Sequence, residues 1–219
     1  MASLRLYGYF RSSSSYRVRI ALNLKGLEYE YVPTHLNRNG GEQFSESFRT
    51  LNPQSLVPVL QDGNVVIGQS LSIIEYLEEC FDGIRLLPED PASRAKVRQS
   101  AMAIACDIHP LGNLRVLKRL QGVYGFSEAS SQEWARHWID LGLNALEIQL
   151  RAHQADKPSK FCFGATPSLA DCCLVPQLFN ARRFGLDVTK WEVLSRIDER
   201  CCELPAFAAA HPSRQPDAE

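Results

Sequence analysis

The apolar positions of the first eighty residues switch repeatedly between strand spacing and helix spacing. Alternation over residues 4–9 predicts a strand, and Ile20 and Leu24, four apart, predict a helix over 15–24 that ends at Gly26. Further strands are predicted over 27–32, 56–61 and 65–67, with a loop and short irregular helix within 35–51, a hairpin turn at Asp62-Gly63 and a helix over 70–80. The order βαβαββα predicts a small mixed sheet, because a strand–helix–strand unit gives a parallel pair and a hairpin adds antiparallel strands.

From residue 92 onward the apolar positions follow helical spacing and strand signals almost disappear. Helices are predicted over 93–120, 131–153 and 168–184. Two prolines and a glycine within 82–91 interrupt the helical spacing and predict a linker. The fold class is therefore α/β followed by all-α, with a first domain over 1–83 and an all-helical second domain over 92–219.

Two of the predicted helix starts carry capping signals. Ser130-x-x-Glu133 is a candidate capping box, and Asp171 lies three residues after Ser168. A carboxylate at that spacing can cap the start of its own helix. We therefore interpret Asp171 as structural rather than catalytic.

Composition and charge limit the classes of partner. The chain has 219 residues, a hydrophobic content of 45% and a net charge of −1, so it can bury one large or two modest cores but has no basic field for nucleic acid. The N-terminus lacks the apolar core of a secretory signal and no apolar run is long enough to span a membrane, so we expect a cytoplasmic protein. Seven cysteines and five histidines show no metal-ligand spacing, and no metal is expected.

The apolar run Leu56–Leu60 contains a proline at position 58. Proline cannot donate to a sheet ladder, so it indicates an edge strand or a bend, often with a cis peptide bond. In either case Val57 would offer its backbone N–H and C=O groups to an extended ligand. Ser70, as the N-cap of the next helix, would leave free N–H groups for a carboxylate. These features together predict a binding site for a small acidic peptide.

A run of hydroxyl side chains, residues 11–17, lies between the first strand and the first helix. Many α/β folds bind ligands at this position, because the N–H groups of the helix start point outward there. Four consecutive serines could also form only a flexible turn with an N-cap. The agreement of this run with the Val-Pro strand and the Gln69-Ser70 helix start favours a ligand site.

The combined motifs resemble the zeta class of glutathione transferases, which includes maleylacetoacetate and maleylpyruvate isomerases. The resemblance covers nearly the whole chain and rests on residues 9–22, 51–53, 56–58, 69–70, 73–79, 108–113, 169–171, 174–177, 180–184 and 214–217. It implies a thioredoxin-like first domain, a helical second domain, glutathione as cofactor and a homodimer. The class usually has Ser-Ser-Cys-Ser in its first motif, whereas this chain has Ser14 at the third position, which argues against a side activity that needs a protein thiol.

The resemblance also implies roles for individual residues. Ser12 corresponds to the catalytic serine, whose hydroxyl donates to the glutathione sulfur. A free thiol with a pKa near ~8.5 is mostly protonated at neutral pH, and each unit of lowering requires roughly 1.4 kcal/mol of thiolate stabilisation. Val57 is implied to pair with the cysteinyl backbone, and Gln69 and Ser70 to hold the γ-glutamyl end. The other implied glutathione-binding residues are Ser13, Ser14, Ser15, Tyr16, Arg17, Gln43 (glycyl end), His109 and Asn113.

For three of these residues a purely structural role stays open. Tyr16 and Arg17 could serve only for packing, and His109 could be a helix-surface residue before a proline kink. Arg11, Arg115 and Arg183 match positions at which bacterial members of the class gather arginines, and are implied to bind a dicarboxylate substrate. For the last two a solvated surface role is the alternative.

The implied reaction is glutathione-dependent cis–trans isomerisation of maleylacetoacetate, from tyrosine breakdown, to fumarylacetoacetate. A thiolate adds to the double bond, rotation follows about the resulting single bond, and elimination restores the thiol. Cations near the sulfur would stabilise the enolate charge that addition creates. Three alternatives stay open: maleylpyruvate as substrate, a general conjugating or dehalogenating transferase, and a non-enzymatic dimerisation module of the same fold.

Overall fold

The computed structural model describes residues 4–219 and begins with a four-stranded mixed sheet in the order β2-β1-β3-β4. Strand β1 is parallel to β2 and antiparallel to β3, which is antiparallel to β4. The elements are β1 (Leu4–Gly8), α1 (Ser13–Leu24), β2 (Tyr29–Pro33), α2 (Glu46–Leu51), β3 (Val59–Asp62), β4 (Val65–Gly68) and α3 (Ser70–Cys80). The predicted order βαβαββα and the mixed sheet are confirmed.

The core of this first part lies between the sheet and the helices α1 and α3. Leu6 pairs with Leu60 across β1 and β3, and both side chains are fully buried. Ile20 on α1 and Ile73 on α3 are also fully buried. Each such side chain contributes about 2 kcal/mol by leaving water. This core fixes the start of α1 at the end of β1.

Beyond the first eighty residues the chain is helical, as predicted. The helices are α4 (Pro91–Met102), α5 (Leu114–Tyr124), α6 (Glu128–Asp156), α7 (Leu169–Arg183), α8 (Glu192–Cys202) and α9 (Pro205–Ala210). The single helix predicted over 93–120 is wrong. It is interrupted by a π-helical segment, Ala103–Ile108, and a 3₁₀ segment, His109–Gly112, because Pro110 lacks an N–H group and its ring excludes the carbonyl of the preceding turn.

The helix caps of this part agree with the prediction at one start and differ at another. Ser168 and Asp171 form the expected capping box, in which the Ser168 N–H and hydroxyl donate to Asp171 over 2.8 and 2.7 Å. The predicted capping box at Ser130 is wrong. The N-cap of α6 is Ser127, whose hydroxyl accepts from the Ser130 N–H at 3.1 Å. Hydroxyl residues are repeated here, and only the extended backbone of Ser127 suits a cap.

The chain divides into two compact units, one running up to Leu86 and including Glu203–Glu219, the other covering Leu87–Cys202. The predicted second domain, 92–219, extended to the end of the chain. The C-terminal segment instead joins the first unit, where α9 packs against α1. Asn23 on α1 donates to the carbonyl of Ala206 at 2.9 Å. No helix in the described residues has both the length and the apolar content needed to cross a membrane.

Candidate functional site

The turn between β1 and α1 presents a serine hydroxyl at the start of a helix. Ser12 is the N-cap of α1, and its Oγ accepts from the Ser15 N–H at 3.2 Å. The Ser12 N–H donates to the carbonyl of Tyr9 at 3.0 Å. Because the capping bond uses Ser12 only as an acceptor, the hydroxyl proton can be donated to a ligand. The positive end of the α1 dipole favours a negative ligand at the same place.

The residues that follow Ser12 have different surroundings from one another. Ser13 and Ser15 are buried, and Ser15 Oγ accepts from the Tyr9 N–H at 3.4 Å. Tyr16 is buried and its ring meets that of His211 edge-on, which fits the packing role. Ser14, directly after the first motif serines, is partly exposed. Contact of Ser13–Tyr16 with glutathione stays a prediction.

Arg17 connects α1 to the start of α3. Its side chain is only 1% exposed, and Nη1 donates to the Ser70 hydroxyl at 3.2 Å. The buried guanidinium, which comes from the fifth residue of α1, therefore contacts the first residue of α3. It adds positive charge at the start of α3, and the same contact also fits a purely structural role.

The start of α3 differs from the prediction. Ser70 is the first residue of the helix rather than its N-cap. The N-cap is Gln69, which has φ +67° and ψ 114° and makes no capping hydrogen bond with its side chain. The prediction placed the cap one residue late because serine is a favoured cap and glutamine is not. The helix therefore begins without a side-chain acceptor for its first N–H groups, which leaves them available to a carboxylate.

Val57 lies two residues before the start of β3. The Val57–Pro58 peptide bond is cis, and β3 begins only at Val59. Strand β3 lies between β1 and β4, so the bend interpretation of the proline is correct and the edge-strand interpretation is wrong. Val57 itself is outside the ladder of β3 and partly exposed. The predicted pairing of Val57 with a peptide-like ligand stays a prediction.

Gln43 is held in a loop that leads to α2. It lies in the 3₁₀ turn Glu42–Phe44, is 5% exposed, and its Nε2 donates to the carbonyl of Leu36 at 3.5 Å. Its Oε1 has no hydrogen-bond partner among the described residues. The amide packs on Gly41, where an added Cβ would come within 2.8 Å of it. A buried amide oxygen without a partner in the described chain is able to accept a hydrogen bond from a polar ligand.

Four predicted site residues belong to the second unit. Asn113 caps α5 by accepting from the Arg115 N–H at 3.1 Å, and His109 begins the 3₁₀ segment before it. Arg115 is exposed at the start of α5. Arg183, exposed at the end of α7, donates to the Asn180 amide oxygen at 3.0 Å. Binding by these four residues stays a prediction.

Arg11 lies in the first unit and is exposed directly before Ser12. Its guanidinium is 5.7 Å from the centre of the Phe10 ring. Arg182, next to Arg183 in the second unit, is also exposed and donates to the buried carboxylate of Asp198 at 2.6 Å. Arg11 is therefore an exposed cation adjacent in sequence to the catalytic candidate.

Three of the seven cysteines are excluded as nucleophiles by their surroundings. All seven lie in the described part of the chain and are free thiols. Burial raises the pKa of Cys162 and Cys201 far above the ordinary range of a thiol, and raises that of Cys202 to about 11. These three thiols are protonated at neutral pH and unreactive. No cluster of three or more possible metal ligands occurs among residues 4–219.

Asp217 and Arg19 contact Phe10, two residues before Ser12; both lie in the ranges that carry the resemblance, but the sequence analysis gave neither of them a role. The Asp217 carboxylate accepts from the Phe10 N–H at 3.0 Å, and buried Arg19 donates to the Phe10 carbonyl at 2.9 Å. Burial lowers the pKa of Arg19. No local signal could have revealed the first contact, because the two residues are 207 positions apart.

Comparison with known proteins agrees with this geometry. Residues 6–85 match the family model of the glutathione S-transferase N-terminal domain, and residues 132–209 match that of the C-terminal domain. The chain is 51% identical over 218 residues to a probable maleylacetoacetate isomerase of Vibrio cholerae, with 100% of both chains covered.

Two solved structures are similar over nearly their full length. One is a holo maleyl pyruvate isomerase, described as a bacterial glutathione S-transferase of the zeta class, with a TM-score of 0.93, 45% identity and coverage of 98% of this chain and 100% of that one. The other is a maleylacetoacetate isomerase from Anaeromyxobacter dehalogenans with dicarboxyethyl glutathione and citrate bound in its active site. Its TM-score is 0.84 at 45% identity, with 99% and 94% of the two chains covered.

Proposed function

The chain belongs to the glutathione S-transferase family, and on that premise we propose that it is a glutathione-dependent cis–trans isomerase of maleylacetoacetate. The observation that carries the proposal is Ser12, a helix N-cap whose hydroxyl accepts from the Ser15 N–H and keeps its own proton for a ligand sulfur. No cysteine occurs in the turn that holds Ser12, residues 11–17, so in this proposal the reacting sulfur is that of the bound tripeptide.

The residues of the first unit fit glutathione at three points. The first turn of α3 has no side-chain cap, which suits the γ-glutamyl carboxylate. Gln43 has a buried amide oxygen without a partner in the described chain, which suits an N–H group near the glycyl end. Val57, outside the ladder of β3, suits the extended cysteinyl backbone.

When bound, glutathione supplies a thiolate that adds to the substrate double bond and is eliminated after rotation, so that it is not consumed. Ser12 donates its hydroxyl proton in a hydrogen bond to the sulfur, and the α1 dipole adds to the stabilisation of negative charge there. Together these groups need to supply about one to two units of pKa lowering, or roughly 1.4–2.7 kcal/mol.

Arginines orient the dicarboxylate substrate in this proposal. Arg11 is one residue from Ser12 and exposed, so it can bind a substrate carboxylate with two parallel hydrogen bonds. Its charge also stabilises the enolate that develops next to the sulfur. We include Arg115 and Arg183 of the second unit in the same role, and His109 and Asn113 as further glutathione contacts.

Maleylpyruvate is the second candidate substrate, because a maleyl pyruvate isomerase is 45% identical over 98% of this chain. Both substrates carry a cis enedioate-type double bond, so the same chemistry serves either. The dicarboxyethyl glutathione in the Anaeromyxobacter relative is a thioether between glutathione and a dicarboxylate, which is the bond that thiolate addition forms. We also infer a homodimer from the family and a cytoplasmic location, with which seven free cysteines are consistent.

The proposal is tested by measuring turnover of both maleyl substrates by the purified chain, with and without glutathione. We expect turnover of maleylacetoacetate that requires glutathione and leaves its concentration unchanged. An apolar chlorinated electrophile serves as the comparison substrate, and its preferential conjugation would favour a general transferase. Isomerisation at the same rate without glutathione would overturn the mechanism.

A further inference from the structure

The C-terminal segment of the chain is fastened to the first unit by buried polar contacts. The guanidinium of Arg19 on α1 is fully buried and donates through Nε to the carbonyl of Ala210 at 3.0 Å. The same side chain donates through Nη2 to the carbonyl of Phe10 at 2.9 Å. One buried cation thus joins the end of α9 to the turn that follows β1.

Asp217 holds the same turn from the other side. One oxygen of its carboxylate accepts from the Phe10 N–H at 3.0 Å and from the Tyr31 hydroxyl at 3.4 Å. Both polar groups of the Phe10 backbone are therefore bonded, the N–H to Asp217 and the carbonyl to Arg19. Hydrogen bonds to charged groups are about twice as strong as neutral ones, so this turn is held firmly.

The turn that is held in this way determines the position of Ser12. Phe10 is two residues before Ser12, and the Ser12 N–H donates to the carbonyl of Tyr9 at 3.0 Å. A shift of the Phe10 backbone would move the Ser12 hydroxyl and the exposed side chain of Arg11 with it. Hydroxyl donors act on developing charge only over a narrow range of distances, so small shifts change their effect.

The side chain of Glu219 also contacts the first part of the chain, at an exposed position. Glu219 pairs with Arg38 at 2.7 Å. The His35 ring accepts from the Arg38 N–H at 2.8 Å through Nδ1, and its Nε2 lies 3.3 Å from the Glu219 carboxylate. These residues belong to the loop that leads to Gln43, the predicted contact for the glycyl end.

We propose that the C-terminal segment is a latch for the glutathione site, in which Asp217 positions the Ser12 turn and Glu219 supports the Gln43 loop. Asp217 is a positioning residue, because it acts through the backbone of Phe10. Glu219 contributes less, since its side chain is 56% exposed and water screens its ion pair with Arg38. The inference rests on the proposed function in so far as the latched site binds glutathione.

The test compares Asp217→Ala, Asp217→Asn and the control Glu203→Ala, which removes an exposed carboxylate of the same segment. Amide hydrogen exchange of the ligand-free chain measures how firmly the turn at Phe10 is held, and titration with glutathione measures the affinity of the site. In Asp217→Ala we expect roughly tenfold faster exchange at Phe10 and roughly tenfold weaker glutathione binding. Asparagine keeps an oxygen that can accept from the Phe10 N–H. Asp217→Asn should therefore retain most of the slow exchange at Phe10 and most of the glutathione affinity. The control should match the wild type.

Two results would overturn the latch. One is Phe10 exchange or glutathione affinity in Asp217→Ala equal to that of the wild type. The other is an equal rise of exchange across the first unit, for example in β3, which would mean that Asp217 only stabilises the fold. A wild-type chain that does not bind glutathione would overturn the proposed function instead, so the two failures can be told apart.

Discussion

The starts of α3 and α7 are built in opposite ways. At α7 the buried Asp171 carboxylate accepts from the Ser168 N–H and hydroxyl, and from the Cys162 N–H at 2.9 Å. At α3 the cap residue Gln69 has a backbone φ of +67° and offers no side-chain acceptor. The start of α7 is complete within the protein, whereas the first N–H groups of α3 have no side-chain acceptor at the cap. The difference separates a carboxylate that maintains the fold from a helix start that we propose as part of the ligand site.

The conformation of Gln69 supports this distinction. A positive φ at a residue other than glycine costs of order 1–3 kcal/mol and persists only where the surrounding structure enforces it. Gln69 is also connected to its surroundings, since its Nε2 donates to the Gln54 amide oxygen at 3.0 Å. Gln69, at the predicted γ-glutamyl site, therefore has a strained backbone, whereas Ser168 at the start of α7 has ordinary extended backbone.

The largest expected effect is loss of stability in Asp171→Ala. Removing this carboxylate leaves the buried N–H groups of Cys162 and Ser168 without an acceptor, so the free energy of unfolding should fall by about 3 kcal/mol or more. Urea unfolding checks this. The control Asp187→Ala removes an exposed carboxylate that accepts from the Thr189 N–H and should have a smaller effect. An equal loss of stability in Asp171→Ala and Asp187→Ala would contradict the conclusion that the Asp171 carboxylate maintains the fold.

The next effect is stabilisation by the ligand itself. Glutathione at 100 times its dissociation constant should raise the free energy of unfolding by about 2.7 kcal/mol, because it binds only the folded chain. Hydrogen exchange should then slow more at the first turns of α1 and α3, which contact the ligand, than at the first turn of α7, where only the general stabilisation of the fold acts. Protection at Asp171 as strong as that at Ser70 would contradict the assignment of the two helix starts.

The smallest effect is expected at Gln69, where two substitutions separate strain from side-chain contact. Gln69→Gly removes the cost of the positive φ and should gain about 0.5–1 kcal/mol of stability, whereas Gln69→Ala keeps the strain and should gain none. Both variants lose the side chain and should bind glutathione more weakly by a similar factor. Thermal unfolding and ligand titration measure the two quantities, and unchanged binding in both variants would remove Gln69 from the site.

Much of the fold follows from residue spacing alone. The helix predicted over 70–80 is observed with the same bounds, because its apolar positions and its flanking residues agree. Strand β3 begins three residues later than predicted, since the chain bends at Pro58 before it joins the sheet. The helix predicted over 93–120 is broken around Pro110, whose effect the apolar spacing hides.

The candidate site was only partly predictable. Ser12 was located through the resemblance to the zeta class, whereas the apolar spacing predicted that the first helix begins at Ser15; α1 begins at Ser13, with Ser12 as its N-cap. The caps at Gln69 and Ser127 were missed, since a cap is chosen by backbone geometry where several polar residues compete. The contacts of Asp217 could not be predicted, because they depend on how the C-terminal segment returns to the first unit.

The most direct test of the account is the thiol pKa of glutathione bound to the wild-type chain, to Ser12→Ala and to Ser127→Ala, read from the ultraviolet absorbance of the thiolate against pH. Ser127 is a matched control, because its hydroxyl caps α6 as that of Ser12 caps α1. The account predicts a pKa about one to two units below the free value of ~8.5 in the wild type and the control, and a return toward ~8.5 in Ser12→Ala. An equally low pKa in Ser12→Ala would contradict it.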